Sequence, residues 1–397
     1  MKIGILTYHD EINYGSLLQA YAMQTALSDL GYESAIIDRW FEPRQTRIYG
    51  VLHASAVRAW VKWVLKVISG TGAWALFIRQ WRSRRFIEKF LRLTPYSFHN
   101  CGDAPNDMGI DLITVGSDQV WHPMAQPHIY LLNELKQVPG IAYAASFGTN
   151  AIPDSKQGLY REGLKNFKAI GIRELEGVEI VRQLGVRNVA HVVDPTILVN
   201  PKRWHEFVHN LDSTGKRHIV CYFLGEDFLA MAERLGRWAR SHNMTIDFFL
   251  QDFEAPIPFS AVRFRRWLQY WKVRLSRSLN FRSSAGPIEF VRKISTAECV
   301  FTNSFHALMF SMIFKRNVRI VKPTSPIRQG MSARMREFSE TIIEGPLIME
   351  TLEDAISSYE RGERVLYNEQ ELMRRRIASR TWLQKAIKIA VEGESAK

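Results

Sequence analysis

Cysteine is scarce in this chain. Its 397 residues include three cysteines, which lie far apart and have the spacing of neither a metal site nor a disulfide framework: Cys101, Cys221 and Cys299. Few cysteines without a disulfide pattern are typical of a reducing compartment, so we expect a cytoplasmic protein. No cluster of ligand-type residues stands out either, and we expect no metal ion and no resident cofactor.

Long hydrophobic runs are also missing. A membrane-spanning helix needs roughly 18 consecutive apolar residues. The longest candidate, residues 64–78, is interrupted by Lys66, Gly70 and Gly72. The apolar run at the N-terminus is short and soon meets polar residues, which argues against a signal peptide. We therefore expect neither a spanning helix nor secretion.

Acidic residues are the minority among the charged residues. The chain has 53 Lys+Arg against 40 Asp+Glu, which gives a formal net charge of +13. Such an excess favours anionic partners, which include phosphorylated small molecules, acidic lipids, acidic glycans and nucleic acid. The charge by itself does not choose among them.

The chain shows a regular alternation of strand-type and helix-type segments. Residues 2–8 predict a buried strand, Ser16 is the predicted N-cap of a helix that runs to about Leu30, and residues 34–37 predict a second strand. This βαβ opening predicts a parallel sheet with helices on its faces. No GxGxxG fingerprint follows the first strand, so we predict no dinucleotide site there.

The alternation restarts near residue 200, where residues 218–224 and 244–250 predict strands around a helix. We therefore predict an α/β protein with two Rossmann-like domains and a long C-terminal helix that packs back on the first domain. The predicted boundaries are 1–197 for the N-terminal domain, with a basic helical insertion at 50–95, 198–365 for the C-terminal domain and 366–397 for the helix.

Two segments depart from this alternation because they are basic and rich in aromatic residues. In residues 53–94 the helical pattern either buries Trp60, Val64 and Phe77 against the core or forms a face that rests on an anionic membrane. The tract 264–282 contains no acidic residue. Its interleaved aromatic and basic residues suit nucleic acid, a membrane or another polyanion.

Residues 299–322 predict a strand, a polar turn, a helix and a second strand. Thr302, Asn303 and Ser304 are N-cap residue types, so His306 falls in the first turn of the predicted helix. Free backbone N–H groups and the positive end of the helix dipole make that position an anion receptor. A structural role for this histidine is equally consistent with the stretch taken alone.

Two more charged residues lie at the carboxyl ends of predicted strands, where open α/β sheets bind ligands. Asp118 lies on the loop after residues 111–115, beside Trp121, and is either a functional carboxylate or a turn-capping aspartate. Arg173 ends the strand pattern of residues 169–174 and is either an anion ligand or part of a surface salt bridge.

Six motifs occur in an order that resembles the polysaccharide pyruvyl transferase family. They lie between residue 1 and about residue 322, and the resemblance is weaker over residues 41–98 and 250–285. The motifs are MKIGILTY with NYGSLLQAYAMQTAL and LGYE, then VGSDQVWHP, YAASFG, IRELEGVEIV, VVDPTIL and TNSFHALMFSMIF. Each is weak alone, and their order makes the resemblance specific.

The resemblance implies a GT-B-like fold, in which the parallel sheets of two Rossmann-type domains face a cleft. It also implies transfer of the carboxyethylidene group of phosphoenolpyruvate onto two hydroxyls of a sugar, which forms a cyclic pyruvate ketal in polysaccharide or glycan biosynthesis. Phosphoenolpyruvate is then the donor substrate, and no cofactor is implied. The implied acceptor is a sugar or a lipid-linked oligosaccharide, and no nucleic acid partner is expected.

In relatives, phosphoenolpyruvate is held by an arginine from the middle of the chain and by an Arg-x-His element near the second-domain helix. Arg173 matches that arginine and His306 matches the histidine, whereas Ser304 stands where many relatives have arginine. Either Ser304 and the helix N-terminus bind the phosphate, or another cation replaces the arginine. The nearest cations in sequence are Lys322, Arg334 and Arg336. The predicted donor site comprises Arg173, Ser304, Phe305, His306 and Arg334.

The implied chemistry assigns roles to the remaining candidates. His306 is the predicted acid that protonates the enol carbon, and Asp118 is the predicted base that takes the proton of an attacking hydroxyl. Tyr14 or Trp121 is the predicted stacking surface for the sugar. The predicted acceptor site comprises Tyr14, Gly15, Ser117, Gln119 and Trp121.

Two other functions use the same features. A GT-B glycosyltransferase that takes a nucleotide sugar shares the fold and the anion-binding helix. A non-catalytic binder of acidic polymer or membrane would rely on the basic aromatic segments instead. Peripheral contact with the anionic inner face of the cell membrane is compatible with either enzyme, because precursors of surface polysaccharides are commonly lipid-linked.

Overall fold

A computed structural model describes residues 1–9, 13–38, 73–94, 109–125, 127–133, 138–209, 217–250, 261–323, 335–338 and 340–393. This part of the chain forms two six-stranded parallel sheets and one short antiparallel pair. Helices pack against both sheets, and the hydrophobic core runs between the helices and the sheet faces.

The first sheet contains six parallel strands in the order β2-β1-β3-β4-β5-β6. They are β1 (Lys2–Leu6), β2 (Glu33–Ile36), β3 (Leu112–Val115), β4 (Gly140–Ala145), β5 (Phe167–Ile172) and β6 (Val189–His191). The helices between them are α1 (Tyr14–Asp29), α2 (Ala73–Phe90), α3 (Pro127–Tyr130), α4 (Asp154–Leu164) and α5 (Leu175–Gln183). β3 and β4 are buried at every position, which explains their continuous apolar runs.

Two short helices, α6 (Pro195–Leu198) and α7 (Pro201–His209), lead to the second sheet. Its first five strands are β7 (His218–Phe223), β8 (Thr245–Leu250), β9 (Leu279–Phe281), β10 (Cys299–Thr302) and β11 (Asn317–Val321). The strand β12 (Ile343–Glu344) belongs to the antiparallel pair, and β13 (Ile348–Met349) completes the second sheet. The strand order is β13-β11-β10-β7-β8-β9, so the direction of winding reverses between β7 and β10. Ligands of doubly wound sheets bind at such a reversal, outside the carboxyl ends of the strands.

The helices of the second half are α8 (Phe228–Ser241), α9 (Ala261–Arg274), α10 (Pro287–Thr296), α11 (Phe305–Ile313) and α12 (Leu352–Glu360). The short strand β14 (Leu366–Tyr367) pairs antiparallel with β12 and leads into α13 (Glu369–Glu392). The two parallel sheets of this α/β fold confirm the predicted fold class. The first sheet ends at His191 and the second begins at His218, on either side of the predicted boundary at 197/198, which stays a prediction.

Helix α1 is capped three residues earlier than its sequence predicted. Asn13, not Ser16, is the N-cap: its backbone is extended and its side chain accepts a hydrogen bond from the N–H of Gly15. Asparagine and serine are similarly good caps, so composition could not separate them. The consequence is functional, because the hydroxyl of Ser16 is left to donate to Asp118 at 2.6 Å.

Helix α2 does not turn Phe77 to the core, which one of the two alternatives for this segment required. Phe77 is 51% exposed, whereas Arg79, Ser83 and Phe86 are buried at helical spacing. Trp60 and Val64, which the same alternative buries, lie outside the described residues. No helix in the described part of the chain, α2 included, is both long and apolar enough to cross a bilayer.

The C-terminal helix α13 packs against the first sheet. The hydroxyl of Ser379 accepts a hydrogen bond from the N–H of Val193 at 3.0 Å, and Nε of Arg376 donates to the carbonyl of Ile197 at 2.7 Å. The ring of Trp382 lies so close to Gly171 that a Cβ there would be 2.8 Å from it. α13 therefore braces the strands and turns on either side of Asp194.

Candidate active site between the two sheets

The imidazole of His306 lies against the first turn of α1. A Cβ atom at Gly15 would be 2.1 Å from Nδ1 of His306, so glycine is what leaves room for the ring. His306 is itself in the first turn of α11, whose N-cap Ser304 accepts a hydrogen bond from the N–H of Ala307. The N-termini of two helices, one from each half of the chain, therefore meet at this histidine. Both helix ends carry partial positive charge, which favours an anionic ligand.

Asp194 is the buried centre of the cluster and accepts hydrogen bonds on both oxygens. Its Oδ2 accepts from Nη1 of Arg173 and from Oγ of Ser117, both at 3.1 Å. Nε2 of His306 lies 3.8 Å from the same oxygen. Its Oδ1 accepts from the N–H and the hydroxyl of Thr196, at 3.0 and 2.7 Å. One carboxylate thus holds together the two residues predicted to bind the donor.

The charge of this carboxylate follows from its surroundings. Burial by itself raises the pKa of a carboxyl group, but His306, Arg173 and the hydrogen bonds from Thr196 together outweigh it, so the pKa of Asp194 lies below its ordinary value. Asp194 is therefore ionised at neutral pH. This ionised oxygen faces Nε2 of His306 across 3.8 Å.

The position of Asp194 is set by the local sequence. It follows β6 and is the N-cap of α6, with Pro195 at the first helical position, where proline is well tolerated. The cap bond to Thr196 holds the side chain in one orientation. Because β5 and β6 are parallel neighbours, the residues after both strands emerge at the same edge of the sheet, which brings Arg173 to Asp194.

Arg173 is buried between Asp194 and the ring of Phe305. Its guanidinium carbon lies 4.5 Å from the centre of that ring, which is a cation–π contact. Its Nε has no hydrogen-bond acceptor among the described residues, and Oε2 of Glu174 lies 3.9 Å away. A buried N–H without an acceptor is the group that a carboxylate or phosphate of a ligand would satisfy.

Asp118 lies on the loop after β3, next to the first turn of α1. Its backbone has a φ of 73°, in the left-handed region that aspartate tolerates better than most residues. Its Oδ2 accepts the hydrogen bond from Ser16, and its Oδ1 accepts from the N–H of Gln119 at 2.8 Å. Asp118 and Gln119 are half-exposed. Gly15 contacts His306, and the adjacent Ser16 binds Asp118. Both candidate residues therefore lie at the first turn of α1.

Four of the five predicted acceptor residues are buried and offer no surface to a sugar. One of them is Gly15, which packs against His306. Trp121 is packed in the core, where its Nε1 donates to the carbonyl of Tyr130 at 2.9 Å. Tyr14 is stacked on Phe290 with ring centroids 4.7 Å apart. Ser117 has no exposed surface, and its hydroxyl is bound to Asp194. The stacking role predicted for Tyr14 or Trp121 is therefore not retained, and these side chains support the loops around the site.

The structure describes some of the residues that were predicted to bind the donor phosphate. Ser304 and Phe305 begin α11 beside His306, with Phe305 packed under Arg173. Arg334 lies outside the described residues. Lys322, one of the cations considered as a replacement for the arginine, is ion-paired with Glu350. Over the described residues, no group of three or more His, Cys, Asp or Glu side chains is arranged to hold a metal ion.

Comparison with known sequences identifies the family. The sequence profile of the polysaccharide pyruvyl transferase family matches residues 13–324, which is most of the chain and includes both helix ends at the site. This chain belongs to the polysaccharide pyruvyl transferase family. It is therefore a member of a transferase family of polysaccharide biosynthesis. Among curated proteins, no sequence matches the chain.

Solved structures similar to this family member show the GT-B-like fold. A putative UDP-N-acetylglucosamine 2-epimerase from Listeria monocytogenes aligns with a TM-score of 0.57 and 10% identity, covering 99% of this chain and 97% of the other. The UDP-N-acetylglucosamine 2-epimerase from Rickettsia bellii aligns at 0.53 and 10% identity, covering 99% of each chain. The enzyme from Methanocaldococcus jannaschii, in complex with UDP-GlcNAc and UDP, aligns at 0.51 and 12%, covering 91% and 92%. At these identities the likeness is one of fold.

In this member of the pyruvyl transferase family, sequence reasoning missed the roles of three polar residues at the site. They are Asp194, Ser16 and Gln19, whose amide is buried and hydrogen-bonded to Thr7 and to the backbone of Ser117. Asp194 had a usable signal, because an aspartate before a proline at the end of a strand predicts a helix cap beside the ligand-binding edge. Ser16 and Gln19 had no such signal in the sequence, since their roles depend on the distance from α1 to the loop after β3.

Proposed function

We propose that this protein transfers the carboxyethylidene group of phosphoenolpyruvate onto two hydroxyls of a sugar and releases phosphate. The observation that carries the proposal is the meeting of Arg173, Asp194 and His306 at the N-termini of α1 and α11. Phosphoenolpyruvate carries a carboxylate and a phosphate, and the site offers a guanidinium, an imidazole and two positive helix ends to hold them.

The proposed reaction balances without a further reactant. His306 delivers a proton to the terminal methylene carbon of phosphoenolpyruvate, which becomes a methyl group and leaves the adjacent carbon open to attack. One sugar hydroxyl bonds to that carbon and the phosphate leaves. The second hydroxyl then completes the ketal. Asp118 takes the proton of the first hydroxyl and passes it to the departing phosphate, and the proton of the second hydroxyl restores His306.

Asp118 is the proposed base for the attacking hydroxyl. It is a half-exposed carboxylate held in one orientation by Ser16 and by the backbone of Gln119. It is held at Ser16, the residue next to the Gly15 that contacts His306, so the proposed base and the proposed acid both lie at the first turn of α1. Gln119, which is half-exposed, is the remaining proposed contact of the acceptor.

We also propose that the acceptor is presented at the inner face of the cell membrane. The excess of basic residues suits an anionic surface, since the net charge of the chain is +13. The acceptor sugar is then carried on a lipid rather than dissolved.

The experiment is phosphate release from phosphoenolpyruvate with a panel of free and lipid-linked glycosides, followed by mass spectrometry of the sugar. We expect one product to gain the mass of pyruvic acid less one water. We expect His306→Gln and Arg173→Lys to abolish it, whereas His128→Gln, a change at an exposed histidine, leaves it intact. Unchanged turnover in His306→Gln would rule out the proposed acid.

A nucleotide-sugar enzyme is the competing candidate, because the similar structures include UDP-N-acetylglucosamine 2-epimerases. Thermal unfolding with phosphoenolpyruvate or UDP-GlcNAc separates the two. A specific ligand at 100 times its dissociation constant stabilises the fold by about 2.7 kcal/mol. We expect this stabilisation from phosphoenolpyruvate and not from UDP-GlcNAc; the reverse result would favour the nucleotide-sugar reaction.

A further inference from the structure

Helix α2 presents a row of aromatic side chains to solvent. Trp74, Phe77 and Trp81 are 60%, 51% and 50% exposed, and their spacing of three and four residues places them on one face of the helix. The rings of Trp74 and Phe77 stack on each other with centroids 5.4 Å apart. Large contiguous apolar surfaces of this kind mark interaction sites in soluble domains. We call these three residues the aromatic row.

A basic cavity of about 520 Å³ lies at the end of the aromatic row, between α2 and α10. Trp81 belongs to both features, since it lines the cavity as well as the row. The cationic lining residues are Arg82, Arg85, Lys89 and Arg292. The aromatic and the basic surface are therefore continuous.

The charge of the cavity is positive after its internal ion pairs are taken into account. Of the two carboxylates in its lining, Glu289 is paired with Arg82 at 2.8 Å. Glu88 is paired with Arg84, one turn before it on the helix, at 3.3 Å. No ion pair in the described part of the chain engages the other three cations of the lining, which are Arg85, Lys89 and Arg292. Their charges can attract an anion from outside the molecule.

We propose that the aromatic row and the basic cavity together dock the protein on an anionic lipid bilayer. Tryptophan and phenylalanine side chains are favourable at the boundary between headgroups and acyl chains, and arginine and lysine are favourable at anionic headgroups. A helix with aromatic residues on one face and cations beside them lies in the plane of that interface. The cavity then receives the phosphate of a lipid headgroup while Trp74, Phe77 and Trp81 enter the interface.

The docking helix is in direct contact with the helix that carries the active site. Arg79 of α2 is buried and lies over the ring of Tyr14, with its guanidinium carbon 4.4 Å from the ring centre. The hydroxyl of Tyr14 donates to the carbonyl of Ala285 at 3.2 Å, one residue before the N-cap of α10. Gly15, next in the chain, contacts His306. The bilayer surface and the reaction centre are thus joined through α1, which suits a substrate attached to lipid.

Docking on a bilayer adds to the proposed function and rests on its lipid-carried acceptor. Experiments can refute the docking surface and the proposed reaction separately. A protein that ignores vesicles but still turns over phosphoenolpyruvate on a free glycoside would refute the docking surface alone. A protein that binds anionic vesicles but never releases phosphate would refute the reaction alone.

Co-flotation with vesicles tests the docking surface without any substrate. The intact protein is mixed with vesicles of phosphatidylcholine alone or with added phosphatidylglycerol, at low and high salt. We expect binding only to the anionic vesicles and release by salt, because the attraction between basic residues and the leaflet is screened. Replacing Arg85 or Lys89 by glutamine should weaken binding by about fivefold each. Binding that is absent from anionic vesicles would overturn the proposal.

The variant Trp74→Gln/Phe77→Gln/Trp81→Gln tests the aromatic row, and its exposed positions predict that folding is kept. We expect it to lose anionic vesicle binding. The matched control is Met373→Gln/Ile377→Gln, which removes two exposed apolar side chains from the arginine-rich helix α13. It should bind as the unchanged protein does. Equal loss in the control, or full binding by the triple variant, would show that α2 is not the docking surface.

Soluble glycerol phosphate distinguishes a bilayer site from a site for free phosphate. We expect it to compete weakly with anionic vesicles, because it supplies the headgroup charge without the interface in which the aromatic row is buried. Tight binding of glycerol phosphate together with no vesicle binding would assign the cavity to a soluble phosphorylated ligand and overturn the proposal.

Discussion

The imidazole of His306 occupies the space that a side chain at Gly15 would need. A Cβ atom there would be 2.1 Å from Nδ1 of the ring, far inside any van der Waals contact. Gly15 belongs to the first turn of α1 and His306 to the first turn of α11. The two halves of the chain therefore meet through a glycine and a histidine at the ends of two helix dipoles.

Gly15→Ala should displace His306 and remove most of the activity while the protein stays folded. The backbone of Gly15 is helical, so alanine strains no dihedral angle and the effect is the displacement of the ring. We expect a loss in the turnover number for ketal formation of about 10²-fold, the size of effect that misplacing a catalytic group by an ångström produces. Gly158→Ala in α4, where nothing lies within 4 Å of the new Cβ, is the control and should be fully active.

Asp118→Asn should lower the turnover number more than it raises the KM for the acceptor. A general base contributes about 10²–10⁴-fold, and asparagine keeps the shape and the hydrogen bond from Ser16 but cannot take a proton. Ser16→Ala should give a smaller loss, since it removes the orientation of the carboxylate and leaves its charge. Steady-state kinetics of both variants shows which substitution lowers the turnover number more. If Ser16→Ala proved more damaging than Asp118→Asn, the serine and not the carboxylate would be the reacting group.

Asp194→Asn should destabilise the fold at neutral pH, with a pH dependence of definite sign. It leaves Arg173 buried without its carboxylate, a change that costs about 3–5 kcal/mol when one partner of a buried pair is removed. The pKa of Asp194 is lowered on folding, so its contribution is complete above the unfolded pKa of about 3.9 and disappears as the pH falls through the lower folded value.

Denaturant unfolding of the native protein and Asp194→Asn at several pH values measures this difference. We expect the gap in the free energy of unfolding between the two proteins to shrink below about pH 4. A gap that does not change down to the most acidic conditions at which the protein folds would show that the lost stability does not come from the ionised carboxylate.

Leu383→Ala should lower the free energy of unfolding by about 2–5 kcal/mol, because it opens a cavity under the C-terminal helix. Leu383 is fully buried, whereas Ile377 on the same helix is 58% exposed. Ile377→Ala should therefore change the free energy by no more than about 0.5 kcal/mol. Urea unfolding compares the two variants, and similar values for both would mean that α13 does not brace the domain.

Much of the fold was accessible from local patterns. The apolar strand runs, the cap residue before α11 and the long C-terminal helix all depend on neighbours in the chain, and the structure has these elements close to where they were predicted. His306 and Arg173 were accessible for the same reason, since each follows a strand pattern directly. The family resemblance rested on the same short segments.

The tertiary structure decided which of those residues meet and which are buried. Asp194 became the centre of the site because β5 and β6 are neighbours in the sheet, and Ser16 binds Asp118 because Asn13 caps α1 in its place. Trp121, one of the two residues predicted to stack on a sugar, is buried, whereas Phe77, for which the sequence left burial and exposure open, is exposed. Sequence patterns report spacing along one segment, whereas burial and charge pairing depend on distances between segments that only the packed chain defines.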